Sequence, residues 1–181
     1  ATPTAATTAS PPPHATSLVD CLHSFSLEEK LSAGERCWCQ SCGSLQDSTK
    51  RISIQRLPNV LCVHLKRFKQ STDARRQTSK LDTYVDFPLH ALNMHPYTSA
   101  FVESAAAQTE GVSVVPAAEH LYDRFGVAVH HGTMSNGHYT AYVRRHAHWF
   151  HCDDANLTPV DPAHVRVCRA YLLFYIRKAL C

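Results

Sequence analysis

Hydrophobic and polar positions are spread unevenly along this chain, and the last third carries the strongest pattern. Residues 123–130, 138–144, 148–152 and 170–176 are apolar or β-branched runs, parted by a Gly-bearing loop, a basic turn and a short segment of helical pattern. Strands joined by such short turns pair antiparallel. Asp161 followed by Pro162 reads as an N-cap with proline at the first helical position. Upstream, residues 60–68 read VLCVHLKRF, a run entered just after Pro58 that predicts a well-buried strand with Cys62 inside it. Residues 51–55 alternate, and Leu81, Thr83, Val85 and Phe87 share one face of another half-buried strand.

The front of the chain reads differently. Residues 1–16 are Ala, Thr and Pro with three consecutive prolines, too poor in large apolar side chains to offset chain entropy, and are expected to be a disordered linker or insert. Ser17 with Asp20, and Ser26 with Glu29, each have capping-box spacing. Two short helices are therefore predicted, with Leu18, Leu22, Phe25, Leu27 and Leu31 inward and Gly34 ending the second. Residues 99–120 are small, polar and aperiodic, and predict a loop insertion. Two small helices before a mostly antiparallel sheet give an α+β fold.

Composition narrows the function classes. A chain of 181 residues with 44% hydrophobic content suffices for one core with a small protrusion. The net charge of +3, with both signs interspersed, points to neither a nucleic-acid partner nor an anionic membrane. No apolar run reaches the roughly 20 residues of a spanning helix, and no signal peptide opens the chain, so an intracellular protein, nuclear or cytoplasmic, is expected. The eight cysteines then read as thiols or metal ligands rather than disulfides. Cys39 and Cys42 have the two-residue spacing that lets thiolates on a tight turn hold zinc, but they supply half of a four-ligand site. A surface turn without metal is the alternative.

The candidate chemistry lies in residues 137–154, GHYTAYVRRHAHWFHCDD. His138 begins one strand, and Asp153 and Asp154 end the next. An imidazole serves as general base when a carboxylate or amide holds its other ring nitrogen, and these residues supply the base and its orienter. Gly132 to Gly137 make a slim loop that lets a substrate backbone approach, and the Tyr139 and Trp149 rings are expected to wall the site beside Gly137. His130, His131, His146, His148 and His151 lack such company and read as structural or exposed. Strand alternation turns Cys152 away from Asp153, which argues for packing rather than nucleophilic duty.

The phrases LPNVLCVHLKRF, LDTYVDFPL, VHHGTMSNGHYTAYV, WFHCDDANLTPV and AYLLFY, in this order, resemble the ubiquitin-specific proteases, papain-like deubiquitinating cysteine peptidases. The resemblance runs over about 17–178, and is strongest to the subgroup with histone-directed members. It implies that His138 is the catalytic histidine, that Asp153 orients it, and that Asp154 shares the polarising role. It implies ubiquitin and ubiquitinated proteins, histones among them, as partners, and isopeptide hydrolysis as the activity. Cys39 and Cys42 match half of the family's zinc-binding fingers, which would fall in 17–57, with the palm over 58–178.

The departures are equally specific. No Asn-x-Gly-Asn-x-Cys box and no second CxxC pair occurs in this chain. It therefore resembles a partial fold, part of the fingers and most of the palm without the thumb, and by itself is expected to hydrolyse nothing. The competing readings are a non-catalytic ubiquitin-binding or scaffold module, and a zinc-only interaction module.

Overall fold

Period-2 alternation in the last third of the chain becomes the main sheet. The computed structural model describes residues 16–69, 79–106, 117–133 and 136–180. Seven strands form one antiparallel sheet: β1 (Val60–His64), β2 (Leu92–Asn93), β3 (Leu121–Gly132), β4 (Gly137–Arg145), β5 (His148–Asp153), β6 (Asn156–Val160) and β7 (Ala170–Arg177). Their spatial order is β6-β5-β4-β3-β7-β1, with β2 paired to the early part of β3. The α+β class follows, with α1 (Leu18–Ser26), α2 (Ser99–Ala106) and α3 (Pro162–Val167) around the sheet.

Registered pairs share a face, so Val127 opposite Leu173 marks the buried side. Leu18 of α1, Val165 of α3, and Val85, Phe87, Leu89, Leu92 and Met94 pack with Tyr122, Val127, Val129, Trp149, Leu173 and Tyr175 in one core. Arg67 is buried and ties the 81–83 segment to β7: Nε donates to Ala170 O at 2.6 Å, and Nη1 to Leu81 O at 2.9 Å and Thr83 O at 2.6 Å. Ser17 caps α1 in a reciprocal box with Asp20, as its spacing predicts. The Asp161 carboxylate likewise accepts from Ala163 N at the start of α3.

Several expectations fail for identifiable reasons. Ser26 starts no helix; its hydroxyl donates to Leu22 O at 2.9 Å and so closes α1. Glu29–Lys30 is instead a strand paired with Thr49–Lys50, and the next box, Ser32 with Glu35, caps a single 3-10 turn containing Gly34. Phe25 and Leu27, expected inward, are exposed. The 51–55 stretch reduces to one bridge, Ile54 to Thr98.

The VLCVHLKRF run is also no buried strand throughout. β1 is an edge, with Val60, Cys62 and His64 outward and Leu61 and Val63 half-buried, so Cys62 is an exposed thiol rather than core filling. Within the expected 99–120 loop, 99–106 is helical, its first turn held by the Thr98 hydroxyl, which accepts from Phe101 N. The predicted linker, apart from Thr16, lies outside the described residues, as does 107–116. β6 leaves no period in the hydrophobic pattern because it is exposed and carries Pro159, a residue confined to edges of this kind.

Arg124 stands out in this core. It is fully buried, its guanidinium carbon lies 4.1 Å from the Phe87 ring centroid and 5.6 Å from that of Trp149, and no side-chain nitrogen finds a hydrogen-bond partner among the described residues. Burial pushes its pKa down to about 10. A desolvated cation with only ring faces for company is costly. Arg124→Met should raise the unfolding free energy by about 1–4 kcal/mol. Urea unfolding checks this, and a lowered midpoint would show that the guanidinium is satisfied.

Candidate functional site

The hairpin between β4 and β5 delivers the acid to the base. Arg145 pairs with His148 across a two-residue loop, and His146 at its first position has φ 54°, the positive value that primed hairpin turns require there. This fixes Ala141 opposite Cys152 and Tyr142 opposite His151. The open end of the hairpin then places His138, near the start of β4, against Asp153, the last residue of β5. His138 Nε2 lies 2.6 Å from Asp153 Oδ1, a short charge-assisted contact. Both side chains are about half exposed, at 49% and 46%.

The hydrogen bond to Asp153 is the largest influence on His138 and raises its pKa above the ordinary 6.5, with the charges of Asp153 and Asp154 adding to it. The same bond lowers Asp153 below 3.8. A raised histidine contributes its stabilisation below its unfolded pKa and loses it as pH rises through the folded value. A depressed aspartate contributes above its unfolded pKa and loses it as pH falls through the folded one. The imidazolium–carboxylate pair is therefore complete between those two folded values. Asp154 follows in the left-handed region, at φ 50°, and its carboxylate falls within 4.8 Å of the ligand atoms of His138 and Asp153. With Nε2 bound to the acid, Nδ1 is the nitrogen left for chemistry.

Gly137 is needed for a contact within the protein. A Cβ there would sit 2.0 Å from His130 Nε2 and 2.7 Å from His131 O. The buried His130 ring thus lies directly against the backbone that precedes His138, and its own centroid is 4.8 Å from that of exposed Tyr139. Phe68 and Tyr171 complete the group, with centroids 5.4 and 6.0 Å from His130. Sequence reasoning found Tyr139 but missed Phe68 and Tyr171, which lie far from it along the chain.

Trp149 does not wall the site. It is 3% exposed, in the core beside Arg124. It shares a strand face with Asp153, but four residues of strand separate them, about 13 Å. His151 stacks on Tyr142, with centroids 4.9 Å apart, and Cys152 is half-buried.

Cys39 and Cys42 lie at a separate place. Cys37–Cys39 pairs with Ser44–Gln46 in a hairpin, and Gly43, at φ 60°, makes the turn and donates to Cys39 O at 2.9 Å. Backbone and thiol donors of Cys42 and the Ser41 amide converge on the Cys39 sulfur and lower its pKa. Amides aimed at a sulfur favour the thiolate, the form that binds metal, so the pair fits one half of a zinc site. Among the described residues the one group of three potential ligands is His138, Asp153 and Asp154.

Comparison with known proteins identifies a family. The family model described as ubiquitin carboxyl-terminal hydrolase matches residues 15–175. The chain is 40% identical over 167 residues to ubiquitin carboxyl-terminal hydrolase 22 of Bos taurus, covering 91% of this chain and 32% of that protein. It is 42% identical over 161 residues to human ubiquitin carboxyl-terminal hydrolase 3, covering 88% and 28%. Among solved structures, the SAGA Ubp8/Sgf11/Sus1/Sgf73 deubiquitinating module bound to ubiquitin aldehyde superposes with a TM-score of 0.72 at 32% identity, over 89% of this chain and 33% of that one. The chain spans about a third of the length of these relatives.

If the hydrogen bond governs the histidine, Asp153→Asn should bring the His138 pKa down toward 6.5, and Asp154→Asn should lower it less. An NMR titration of the imidazole Cε1 proton reads both. An unchanged His138 in Asp153→Asn would refute the assignment.

Proposed function

This chain belongs to the ubiquitin-specific proteases, the ubiquitin carboxyl-terminal hydrolases with a papain-like fold, and on that premise we propose that it supplies the base and orienting acid of a deubiquitinating cysteine peptidase. The carrying observation is the 2.6 Å contact between His138 Nε2 and Asp153 Oδ1, made across neighbouring strands. The nucleophile is a cysteine outside this chain. Of the cysteines in the main sheet, Cys152 alternates away from Asp153 and Cys62 lies on the edge strand β1, so neither is placed for that role.

In this reading the thiolate attacks the carbonyl carbon of ubiquitin's C-terminal glycine. His138, held as imidazolium by Asp153 and Asp154, then protonates the departing lysine amine through Nδ1. Water, deprotonated by the now neutral imidazole, hydrolyses the thioester and regenerates the cysteine. The raised pKa of His138 suits an imidazolium resting beside a thiolate, the pairing that makes a cysteine nucleophilic at neutral pH. Asp153 keeps Nε2 protonated throughout, so the ring presents the same nitrogen in both half-reactions.

The substrate side follows from the same surface. Tyr139, with the neighbouring aromatic rings, offers the C-terminal tail of ubiquitin an apolar wall at the start of β4. The Cys39–Cys42 hairpin belongs to the fingers, and zinc held there with a second thiolate pair would brace it structurally. Ubiquitinated proteins in the nucleus or cytoplasm, histones among them, are the substrates proposed; a similar solved module is named as bound to ubiquitin aldehyde.

Two experiments test this. In the full-length protein, His138→Ala should lower turnover of an isopeptide-linked ubiquitin substrate by on the order of 10³-fold or more. Retained turnover would end the proposal. Cys39→Ser with Cys42→Ser should remove one zinc equivalent by metal analysis and leave the His138 titration in place; unchanged zinc content would remove the finger assignment.

A further inference from the structure

β3 is twelve residues long, but its two neighbours do not cover it equally. Pairing with β7 ends at Val129 opposite Ala170, whereas pairing with β4 runs on to Gly132 opposite Gly137. Among the described residues the strand beyond Val129 therefore has one flank without a ladder, and carbonyl groups there need another donor. Lys80, some fifty positions earlier in sequence, provides it. Its Nζ donates to His130 O at 2.7 Å and to Gly132 O at 3.2 Å. The side chain is 14% exposed, and Asp82 Oδ1 lies 3.5 Å from the same nitrogen.

The stretch that Lys80 grips is the one that registers the base. His131 pairs with His138 and Gly132 with Gly137, and His131 Nε2 lies 2.9 Å from the Thr140 hydroxyl. There is little slack between the two strands. The His130 ring already occupies the space where a Gly137 side chain would go, and Gly132, at φ 94°, has Asn136 O only 2.5 Å from where its own Cβ would be. Movement of the 130–132 backbone would pass directly to Gly137 and His138. Lys80 is itself anchored, because Ser79–Lys80 pairs with Phe68–Lys69, and the Phe68 ring meets His130.

We infer that Lys80 is a positioning residue for the His138–Asp153 pair, acting as the cap for the end of β3 that β7 does not reach. It touches neither the base nor the acid. An ammonium suits the position because it directs several donors at two carbonyls two residues apart while its charge is balanced by Asp82. Burial and the Lys80 charge both lower the pKa of His130, which disfavours a charged ring beneath Gly137. The inference rests on reading His138 as the catalytic base.

The test compares the full-length protein with Lys80→Met and Lys80→Arg by three measurements: the downfield NMR resonance of the His138 ring proton bonded to Asp153, kcat and KM on an isopeptide-linked ubiquitin substrate, and thermal unfolding. Lys80→Met should shift that resonance and lower kcat roughly tenfold or more, with KM within about twofold. Lys80→Arg, which still donates to both carbonyls, should restore both readings, and all three proteins should melt cooperatively. An unmoved ring proton in Lys80→Met overturns the inference even if the wild type hydrolyses the substrate. A shifted ring proton in a protein without hydrolase activity upholds the positioning role and removes the hydrolase reading instead. Loss of the folded state in both variants also overturns it, by assigning Lys80 to global stability.

Discussion

The register of β4 against β5 is the constraint on which the rest depends. A strand pair displaced by one residue sends every side chain to the opposite face, so a base and acid carried on neighbouring strands exist as a pair only in one alignment. The two-residue loop at His146 and Ala147 sets that alignment from one end, with a positive φ that matches the twist of the hairpin. At the other end the pairing stops at Ala141 opposite Cys152, and there His138 meets Asp153 half in solvent. The short contact therefore depends on the hairpin turn at the far end of the ladder.

The buried face supports the same alignment by bulk rather than by hydrogen bonds. Trp149, second residue of β5, lies in the core and Val127, Val129 and Leu173 sit on the strands beyond it, so slipping β5 would expel an indole to water. The same strand thus spends one end on packing and the other on chemistry. This division explains why Trp149 misleads a reading from sequence. Alternation assigns it correctly to the face of Asp153, but says nothing of how far along that face the core stops and the rim begins.

Much of the sheet is legible because four of its strands are half-buried, and half-burial writes a period of two. The ends of those strands fall within a residue or two of the apolar runs. What escapes lies where burial writes no period. β6 is exposed and contains Pro159, α2 is a two-turn helix made largely of Ser and Ala, and Ser26 has the spacing of a cap but serves as the closing residue of α1. The β1 run fails in the opposite sense. Its apolar residues suggest burial on both faces, but only Leu61 and Val63 turn inward, half-buried, while Val60, Cys62 and His64 face outward. At the site, His138 and Asp153 are visible because their motif is local. Phe68, Tyr171 and Lys80 are invisible because the fold, not the sequence, makes them neighbours.

Gly137 shows how closely the two kinds of information are bound. From sequence it reads as room for a substrate; in the structure the room is taken by His130, a ring of the protein itself. These uses are compatible. A ring packed beneath a glycine leaves the outer side of the backbone bare, and it makes that backbone stiff, since neither partner can move inward. A base mounted on such a segment keeps its orientation without a side-chain contact from below. The stiffness is only as good as the support of His130, and on that flank the ladder to β7 has ended. The histidine and its acid occupy the surface, but the order that makes them a pair comes from a packed ring and from carbonyls held at the end of a strand.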